Sequence, residues 1–326
     1  MAPRIVLDLM HPPRRITAIA PGSVGNVGPG LDILGLAVAG RGDAVTAERT
    51  ETPGIELAEP GHPDLPREPE RHASAIAARE VLDRSRAGGG IRLSVAKGLP
   101  LAGGQGGSGA SAVAGAAAAN AVLGSPLSVT ELLLAALAAE AAVAGRHADN
   151  IAPSLLGGVV LIRAIDPLDV IALPCPQRLR VVLVHPAHQL RTADARAALP
   201  AQVPLATCLA QAANVAAMVA GFLQGDLALI GRALDDGIAE PARAPLLPGF
   251  RAARQAALGA GALGASISGA GPTAFALVDG EAAGAAVARA MEEAYLRAGV
   301  ASRSRVAAID RTGVRLVHDF ASLDDR

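Results

Sequence analysis

A glycine-rich segment that runs directly into an uncharged helix carries the clearest chemistry in this sequence. Gly98-Leu-Pro-Leu-Ala-Gly-Gly-Gln-Gly-Gly-Ser108 precedes a helical pattern from Gly109 to Leu123. The first N–H groups of a helix lack intrahelical partners and carry a partial positive charge, and glycines let the backbone approach an anion closely. The pattern is typical of a phosphate site. An ordinary serine N-cap at Ser108 after a flexible turn would look the same locally.

Two side chains near that helix start could hold a metal ion. Mg²⁺ binds one or two carboxylates together with hydroxyl groups, water and phosphate oxygens. Ser108 stands at the junction of loop and helix, and Glu140 lies among apolar neighbours on the following helix. A buried carboxylate needs a cation nearby. The sequence leaves open whether Glu140 is buried in this way or lies on the solvent face of an alanine-rich helix.

The inventory of residues excludes several classes of protein. Lys97 is the only lysine, and it stands in Ala96-Lys97-Gly98 rather than in the Gly-Lys-Ser/Thr of a P-loop NTPase. We expect it at the exposed end of a strand. The net charge is −1, Trp is absent, and one Tyr and four Phe are present, so a nucleic-acid partner is not expected.

The cysteines and the hydropathy pattern indicate a cytoplasmic protein that does not enter a membrane. Cys175 and Cys208 are too few for a disulfide framework, and both are interpreted as packing residues. The charge-free stretch after Gly98 keeps only the continuous apolar run 110–123, which is shorter than the roughly 20 residues that a bilayer requires.

The elements that must position these residues mix helices and strands without a regular βαβ repeat, which predicts an α+β fold in two layers. A turn-rich loop is expected over 21–30, and Ser128 with Glu131 forms a capping box that opens a helix through about Val143. The proline-containing segment 164–178 predicts a division into an N-terminal domain, residues 1–165, and a C-terminal domain, residues 166–326.

Three motifs in this order resemble those of the GHMP small-molecule kinases. Pro21-Gly-Ser-Val-Gly-Asn-Val-Gly-Pro-Gly-Leu-Asp-Ile-Leu-Gly35 resembles their first motif, Pro100-Leu-Ala-Gly-Gly-Gln-Gly-Gly-Ser108 their phosphate loop, and Ser266-Ile-Ser-Gly-Ala-Gly-Pro-Thr273 their third motif. The segments 147–153, 192–200 and 239–250 are similar to those of the members that phosphorylate the side-chain hydroxyl of L-homoserine. The likeness extends from about Ile16 to the C-terminus.

That resemblance implies a fold, an activity and a cofactor set. The N-terminal half is expected to resemble domain 2 of ribosomal protein S5, and the C-terminal half to be ferredoxin-like. The activity implied is transfer of phosphate from ATP, with Mg²⁺, to L-homoserine, giving O-phospho-L-homoserine for threonine biosynthesis. A homodimer is also implied.

The resemblance further implies a role for individual residues. Ser108 and Glu140 would hold Mg²⁺, and Asn26 with Asn150 would orient the substrate hydroxyl for direct in-line attack, without a strong general base. Arg196 and Arg243 would clamp the substrate carboxylate, with Asp32 on its ammonium group and His147 beside it. The nucleotide would contact Pro100, Gly103, Gly104, Gln105, Gly106, Gly107, Ser108, Gly269 and Gly271.

One departure from the family pattern keeps two alternatives open. The usual Gly-Leu-Gly-Ser-Ser loop reads Gly104-Gln105-Gly106-Gly107-Ser108 here, so one hydroxyl is lost while the backbone donors remain. A binding protein of this fold without catalysis would tolerate that change. A GHMP kinase for a different small alcohol is the other alternative, although two arginines and an aspartate favour an amino acid with both termini free.

Overall fold

The computed structural model describes residues 12–318 and residue 320, so the outer limits of both predicted domains lie outside the described residues. Its first layer is a seven-stranded sheet in which all pairs are antiparallel except β3 with β4. The strands are β1 (Arg15–Gly25), β2 (Leu34–Thr50), β3 (Gly54–Glu59), β4 (Gly90–Ala96), β5 (Val159–Ile165), β6 (Leu168–Leu173) and β11 (Arg315–Val317).

Four helices pack with this sheet: α1 (Ala73–Ser85), α2 (Gly107–Val122), α3 (Val129–Val143) and α4 (Ile151–Leu156). Helix α2 is the central one, and nearly all of its residues are alanine, glycine or another small residue and are buried. Small side chains let it lie close to its neighbours, and a Cβ at Gly115 would overlap the backbone of Ser74 on α1. The predicted capping box of Ser128 and Glu131 is present at the start of α3.

The second layer is a four-stranded antiparallel sheet of β7 (Leu179–Pro186), β8 (Gly264–Ile267), β9 (Ala274–Asp279) and β10 (Ser302–Ala308). The spatial order is β10-β7-β9-β8, with α9 (Phe250–Gly259) before β8 and α10 (Glu281–Arg297) between β9 and β10. This is the ferredoxin-like arrangement expected for the C-terminal half. Between β7 and α9 lie α5 (Thr192–Ala197), α6 (Leu205–Gln224), α7 (Leu227–Ala233) and α8 (Ala239–Arg243), while short 3₁₀ turns occupy Pro69–Arg71 and Ala244–Leu246.

The α+β class is confirmed, but the chain crosses between the two layers more often than the sequence suggested. Strand β6 pairs with β5, so the division expected between residues 165 and 166 falls inside a hairpin of the first sheet. Strand β11 returns to pair with β1. The loop expected over 21–30 is also shorter, because β1 continues through Gly25 and pairs with β2 up to Gly35.

Helix α6 differs most from an ordinary surface helix. It contains no charged residue, and among the described residues it is the one helix long and apolar enough, by length and composition, to cross a membrane. Its inner side is anchored through Met218 and Phe222 in a core that the two layers share, whereas Leu205 and Leu209 are exposed. Cys208 is exposed on the same helix, so its interpretation as a packing residue is wrong.

Candidate functional site

The glycine-rich loop ends on a helix whose first turn is free to bind an anion. Gly106 is the N-cap of α2 and has a left-handed backbone (φ 69°), and no side chain caps the helix. A Cβ at Gly106 would overlap Ser23 Oγ, so the loop needs glycine here. Gly107 and Ser108 are the first two helical residues. Ser108 is therefore not the N-cap, and the unsatisfied N–H groups of this turn remain available.

Ser108 and Glu140 lie together at this helix start. The Ser108 hydroxyl donates to Glu140 Oε1 at 3.1 Å, and Glu140 is only 2% exposed, which excludes the solvent-face alternative. Burial raises the pKa of Glu140 to about 7, against the lowering effects of His147 and Ser108. Its Oε2 is buried without a partner among the described residues. An orphaned carboxylate oxygen beside a hydroxyl fits the donor set of Mg²⁺, with water and phosphate oxygens completing the shell.

His147 lies between two buried carboxylates. Its Nδ1 is 3.2 Å from Asp149 Oδ1 and 3.9 Å from Glu140 Oε1. Burial alone would lower the pKa of His147, but Asp149 and Glu140 raise it to about 9, so the ring is cationic at neutral pH. Within the described part of the chain, neither ring nitrogen has a hydrogen bond of normal geometry. Nδ1 faces the two carboxylates, so the Nε2 N–H is the group that can serve a bound molecule.

Asp149 is a site residue that sequence reasoning missed. Its side chain is 1% exposed, and its Oδ2 accepts the backbone N–H of Asn26 at 2.8 Å while Oδ1 faces His147. It joins the first motif to the turn before α4. A signal was present, because the aspartate stands between His147 and Asn150 in the segment that carries the family resemblance.

Asn26 and Asn150 occupy the same corner of the site. Asn26 has a left-handed backbone (φ 56°), and its Oδ1 accepts the N–H of Asp32 at 2.9 Å. Asn150 is the N-cap residue of α4, and its Oδ1 accepts the Ser23 hydroxyl at 3.0 Å. A Cβ at Gly25 would lie 2.6 Å from Asn150 Nδ2, so this glycine lets the two segments meet.

The expected substrate clamp combines both layers of the fold. Arg196 on α5 donates two hydrogen bonds to the carboxylate of Asp32, at 2.6 and 2.9 Å. Burial alone would raise the pKa of Asp32, but the hydrogen bonds and charge of Arg196 lower it below its ordinary value. Arg196 and Asp32 are expected to hold opposite ends of a zwitterionic substrate. In this structure they form an ion pair with each other. A bound amino acid would have to open or share that pair.

Arg243, the second arginine of the expected clamp, lies on α8. It is 3% exposed, and it donates to the carbonyls of Ala195 at 3.2 Å and Gly269 at 3.1 Å. Burial, followed by the charge of Arg196, lowers the pKa of Arg243. Two guanidinium groups that repel each other favour an anion between them, which is what a substrate carboxylate supplies.

The third motif supports the phosphate loop from behind. Thr273 Oγ1 donates to the Gly103 carbonyl at 2.5 Å, and Ser268 Oγ donates to the Gly104 carbonyl at 2.6 Å. A Cβ at Gly104 would stand 2.5 Å from Ser268 O and 2.7 Å from the carbonyl oxygen of Gly271. The structure thus places Gly271 against the loop, and the Gly269 N–H binds the Gly25 carbonyl at 3.0 Å.

Lys97 is not the exposed strand-end residue that we expected. Its side chain is 6% exposed and forms an ion pair with the fully buried Asp43. Its ammonium group also donates to the Gly107 carbonyl at 3.1 Å and to Ser111 Oγ at 3.0 Å, both on α2. Asp43 accepts the backbone N–H groups of residues 98 and 99 as well. The only lysine therefore ties the start of α2 to the central strands.

A cleft of about 840 Å³ opens beside this network, between the phosphate loop and the end of β7. Its walls come from both layers. They include Pro100 and the basic or imidazole side chains of Arg41, His62, Lys97, His185 and His188. The volume is sufficient for a nucleoside. Pro100 is the one expected nucleotide contact that lines it directly.

Comparisons with known proteins agree with this architecture. The family described as GHMP kinases N terminal domain matches residues 72–158, and GHMP kinases C terminal matches residues 218–297. The homoserine kinase of Chlorobium phaeovibrioides is 41% identical over 319 residues, covering 93% of this chain and 100% of that protein. The homoserine kinase of Arabidopsis thaliana is 42% identical over 321 residues, covering 94% of this chain and 85% of that protein.

Solved structures give the same result. The crystal structure of homoserine kinase from Cytophaga hutchinsonii superposes with a TM-score of 0.91 at 38% identity, covering 96% of this chain and 100% of that one. The L. major mevalonate kinase in complex with R-mevalonate has a TM-score of 0.72 at 19% identity, covering 93% of this chain and 99% of that one. This second likeness concerns the fold alone.

Proposed function

This chain belongs to the homoserine kinases of the GHMP kinase family, and we propose that its reaction takes place where the start of α2 meets the Arg196–Asp32 pair. It is a small-molecule kinase that transfers a phosphoryl group to the side-chain hydroxyl of homoserine. The observation that carries the site assignment is a continuous chain of contacts that starts at Ser108 and ends at the backbone of Asp32. It passes through Glu140, His147, Asp149 and Asn26. The positive charge of His147 acts to lower the pKa of both Asp32 and Glu140.

The amino-acid end of the substrate binds at the arginines. Arg196 and Arg243 hold the α-carboxylate, and Asp32 receives the α-ammonium once its pair with Arg196 is shared with the substrate. The ion pair present without substrate resembles the zwitterion in charge, so binding exchanges one set of salt bridges for another. Alcohols without an amino-acid end carry no charges to exchange with the Arg196–Asp32 pair and no carboxylate for Arg243, which favours homoserine over other small hydroxylated metabolites.

ATP binds with its phosphates on the loop 103–108 and its adenosine in the cleft next to Lys97. The free N–H groups at the start of α2 donate hydrogen bonds to the phosphate oxygens, and Lys97 fixes the Gly107 carbonyl behind them. Cleft residues such as His62 and His185 come from opposite layers and enclose the nucleoside. The nucleotide therefore fixes the two layers relative to each other.

Ser108 and Glu140 are the protein groups proposed to hold Mg²⁺. When bound, the ion neutralises charge on the transferring phosphate. Glu140 must be ionised for this role, and His147 beside it, cationic at neutral pH, favours the ionised form.

The chain's own residues position the attacking hydroxyl rather than deprotonate it. Asn26 and Asn150 present amide groups at the corner where the substrate side chain meets the loop, and Asp149 fixes Asn26 through its backbone N–H. Phosphoryl transfer passes through a loose transition state, so orientation and charge neutralisation supply most of the acceleration. The hydroxyl proton then leaves to the transferred phosphate.

A coupled assay of ADP release tests this function. Turnover with L-homoserine, and none with L-serine or L-threonine at the same concentration, is the expected result. Turnover that requires an alcohol without a carboxylate would contradict the assigned substrate end. ATP consumption that persists in Glu140→Ala at saturating Mg²⁺ would contradict the metal site.

The chain is also proposed to form a cytoplasmic homodimer through helix α6. Its outer face exposes Leu205 (74%), Leu209 (62%) and Leu223 (62%) without any charge along 20 residues. At a two-fold axis this face can pack against its own copy without like-charge repulsion. Its inner side is held by Gln211, which donates to the Pro29 carbonyl at 2.9 Å. Light scattering should give a dimer that Leu209→Glu converts to monomer.

A further inference from the structure

The altered residue of the phosphate loop, Gln105, has partners that explain its presence. Its side chain is 6% exposed and points away from the anion-binding N–H groups, into the junction between the two layers. Gln105 Nε2 donates to Thr273 Oγ1 at 3.4 Å, and its Oε1 accepts Arg305 Nη2 at 3.3 Å. The backbone carbonyl of Gln105 accepts the Ser23 N–H at 3.1 Å. One loop residue therefore contacts both layers.

The Thr273 hydroxyl donates one hydrogen bond and accepts the others. Its single hydroxyl proton goes to the Gly103 carbonyl, so Thr273 Oγ1 acts as acceptor for the Gln105 amide and for His185 Nδ1, 3.0 Å away. His185 lines the cleft proposed for the nucleoside. A leucine at position 105, the residue usual in the family, could bond neither Thr273 nor Arg305.

Arg305 on β10 is an unusual partner because its charge is poorly compensated. Its Nη1 donates to the Ala39 carbonyl at 2.9 Å and its Nη2 to Gln105, both neutral acceptors, and its Nε is buried without a partner among the described residues. Burial, followed by the charge of Arg41, lowers the pKa of Arg305 to about 10. A cation in this environment is stabilised by a nearby anion, and reciprocally it stabilises that anion.

We propose that Gln105 and Arg305 form a positioning pair that fixes the phosphate loop against the C-terminal sheet and thereby sets the affinity for ATP. The pair acts through the loop backbone and does not touch the reacting atoms. The pair also brings a positive charge, with its Nε atom buried, to the side of the loop that faces the C-terminal sheet. This inference depends on the proposed role of the loop 103–108.

A double-mutant cycle tests the pair. Gln105→Leu and Arg305→Leu should each raise the KM for ATP about five- to tenfold, as expected for the loss of one buried hydrogen bond, while kcat and the KM for homoserine stay within about twofold. The double variant should be no worse than the weaker-binding single variant, since the second substitution removes a group whose partner in the pair is already gone. Arg303→Leu, on an exposed position of the same strand, is the matched control for loss of charge.

Three outcomes decide the matter. Single effects on the KM for ATP that multiply in the double variant would overturn the coupling. A fall in Tm with an unchanged KM for ATP would show a purely structural contact and overturn the positioning role. Gly106→Ala and Ser108→Ala serve as the separate test of the loop: if both leave the KM for ATP unchanged, the loop assignment itself fails, whereas a raised KM in these two alone refutes only the pair.

Discussion

Replacing Glu140 by glutamine should stabilise the protein while removing its magnesium-dependent turnover. Burial raises the pKa of Glu140 to about 7 from an ordinary value of 4.5, so the ionised carboxylate destabilises the folded state when no metal is bound. A group whose pKa is raised on folding contributes stability that is complete below the unfolded value and is lost as pH rises through the folded one. The loss therefore develops between pH 4.5 and about 7.

The size of the effect follows from the two pKa values. At 1.36 kcal/mol per pH unit, their difference corresponds to roughly 3 kcal/mol of unfolding free energy at pH 8. Glutamine can still accept the Ser108 hydroxyl and carries no charge, so Glu140→Gln should recover about 1 to 3 kcal/mol and raise Tm by about 3 to 6 °C at pH 8. The gain in unfolding free energy should be small at pH 5, should increase up to about pH 7 and should stay constant above it.

Thermal unfolding without metal, from pH 5 to pH 8, measures this directly. Glu131→Gln on the same helix is the control, since hydrogen bonds from Ser128 lower the pKa of Glu131 and its replacement should not stabilise. A Glu140→Gln protein that is less stable than the parent at pH 8, or one whose gain does not change with pH, would refute the reasoning. Retained magnesium-dependent turnover in that variant would refute the metal assignment.

Further predictions concern the substrate pocket and the phosphate loop. Arg243→Ala should raise the KM for homoserine about 100-fold and leave the KM for ATP within about twofold. The variant loses a buried guanidinium group that is proposed to bind the homoserine carboxylate and not ATP. Equal changes in both constants would contradict the clamp. His147→Gln should lower the unfolding free energy by about 1 to 3 kcal/mol at pH 7, with the difference vanishing as pH rises through about 9, as a denaturant series at several pH values would show. Asp149→Asn should lower kcat about tenfold with little change in the KM for ATP, since it releases Asn26 and His147 together; an unchanged kcat would remove Asp149 from the site.

The sequence was sufficient where local pattern and chemistry coincide. Glycines before an uncharged helix predicted the anion site at the start of α2, and the structure has Gly106 as the left-handed N-cap there. The capping box at Ser128 follows from the local sequence, whereas the burial of Glu140, which the sequence left open, is decided by the structure. The clamp residues were named through motif resemblance alone, since Arg196, Arg243 and Asp32 taken singly look like surface or turn residues.

Other features depend on contacts between distant parts of the chain. Lys97 looked like an exposed strand end because its partner Asp43 lies 54 residues earlier, on a strand that only the folded sheet brings beside it. The junction of Gln105 with Arg305 spans 200 residues. The return of β11 to β1 likewise leaves no trace in local composition.

The amino-acid order by itself determined the local elements, the glycine-rich loop before α2 and the kinase family, because helix ends, turns and glycine conformations are properties of a few consecutive residues. Only the tertiary structure decided which charges are buried, which side chains pair, and where Asp149, Lys97 and Arg305 act. Burial and pairing are set by long-range packing, and a pKa or an ion pair exists only once that packing has brought the groups together.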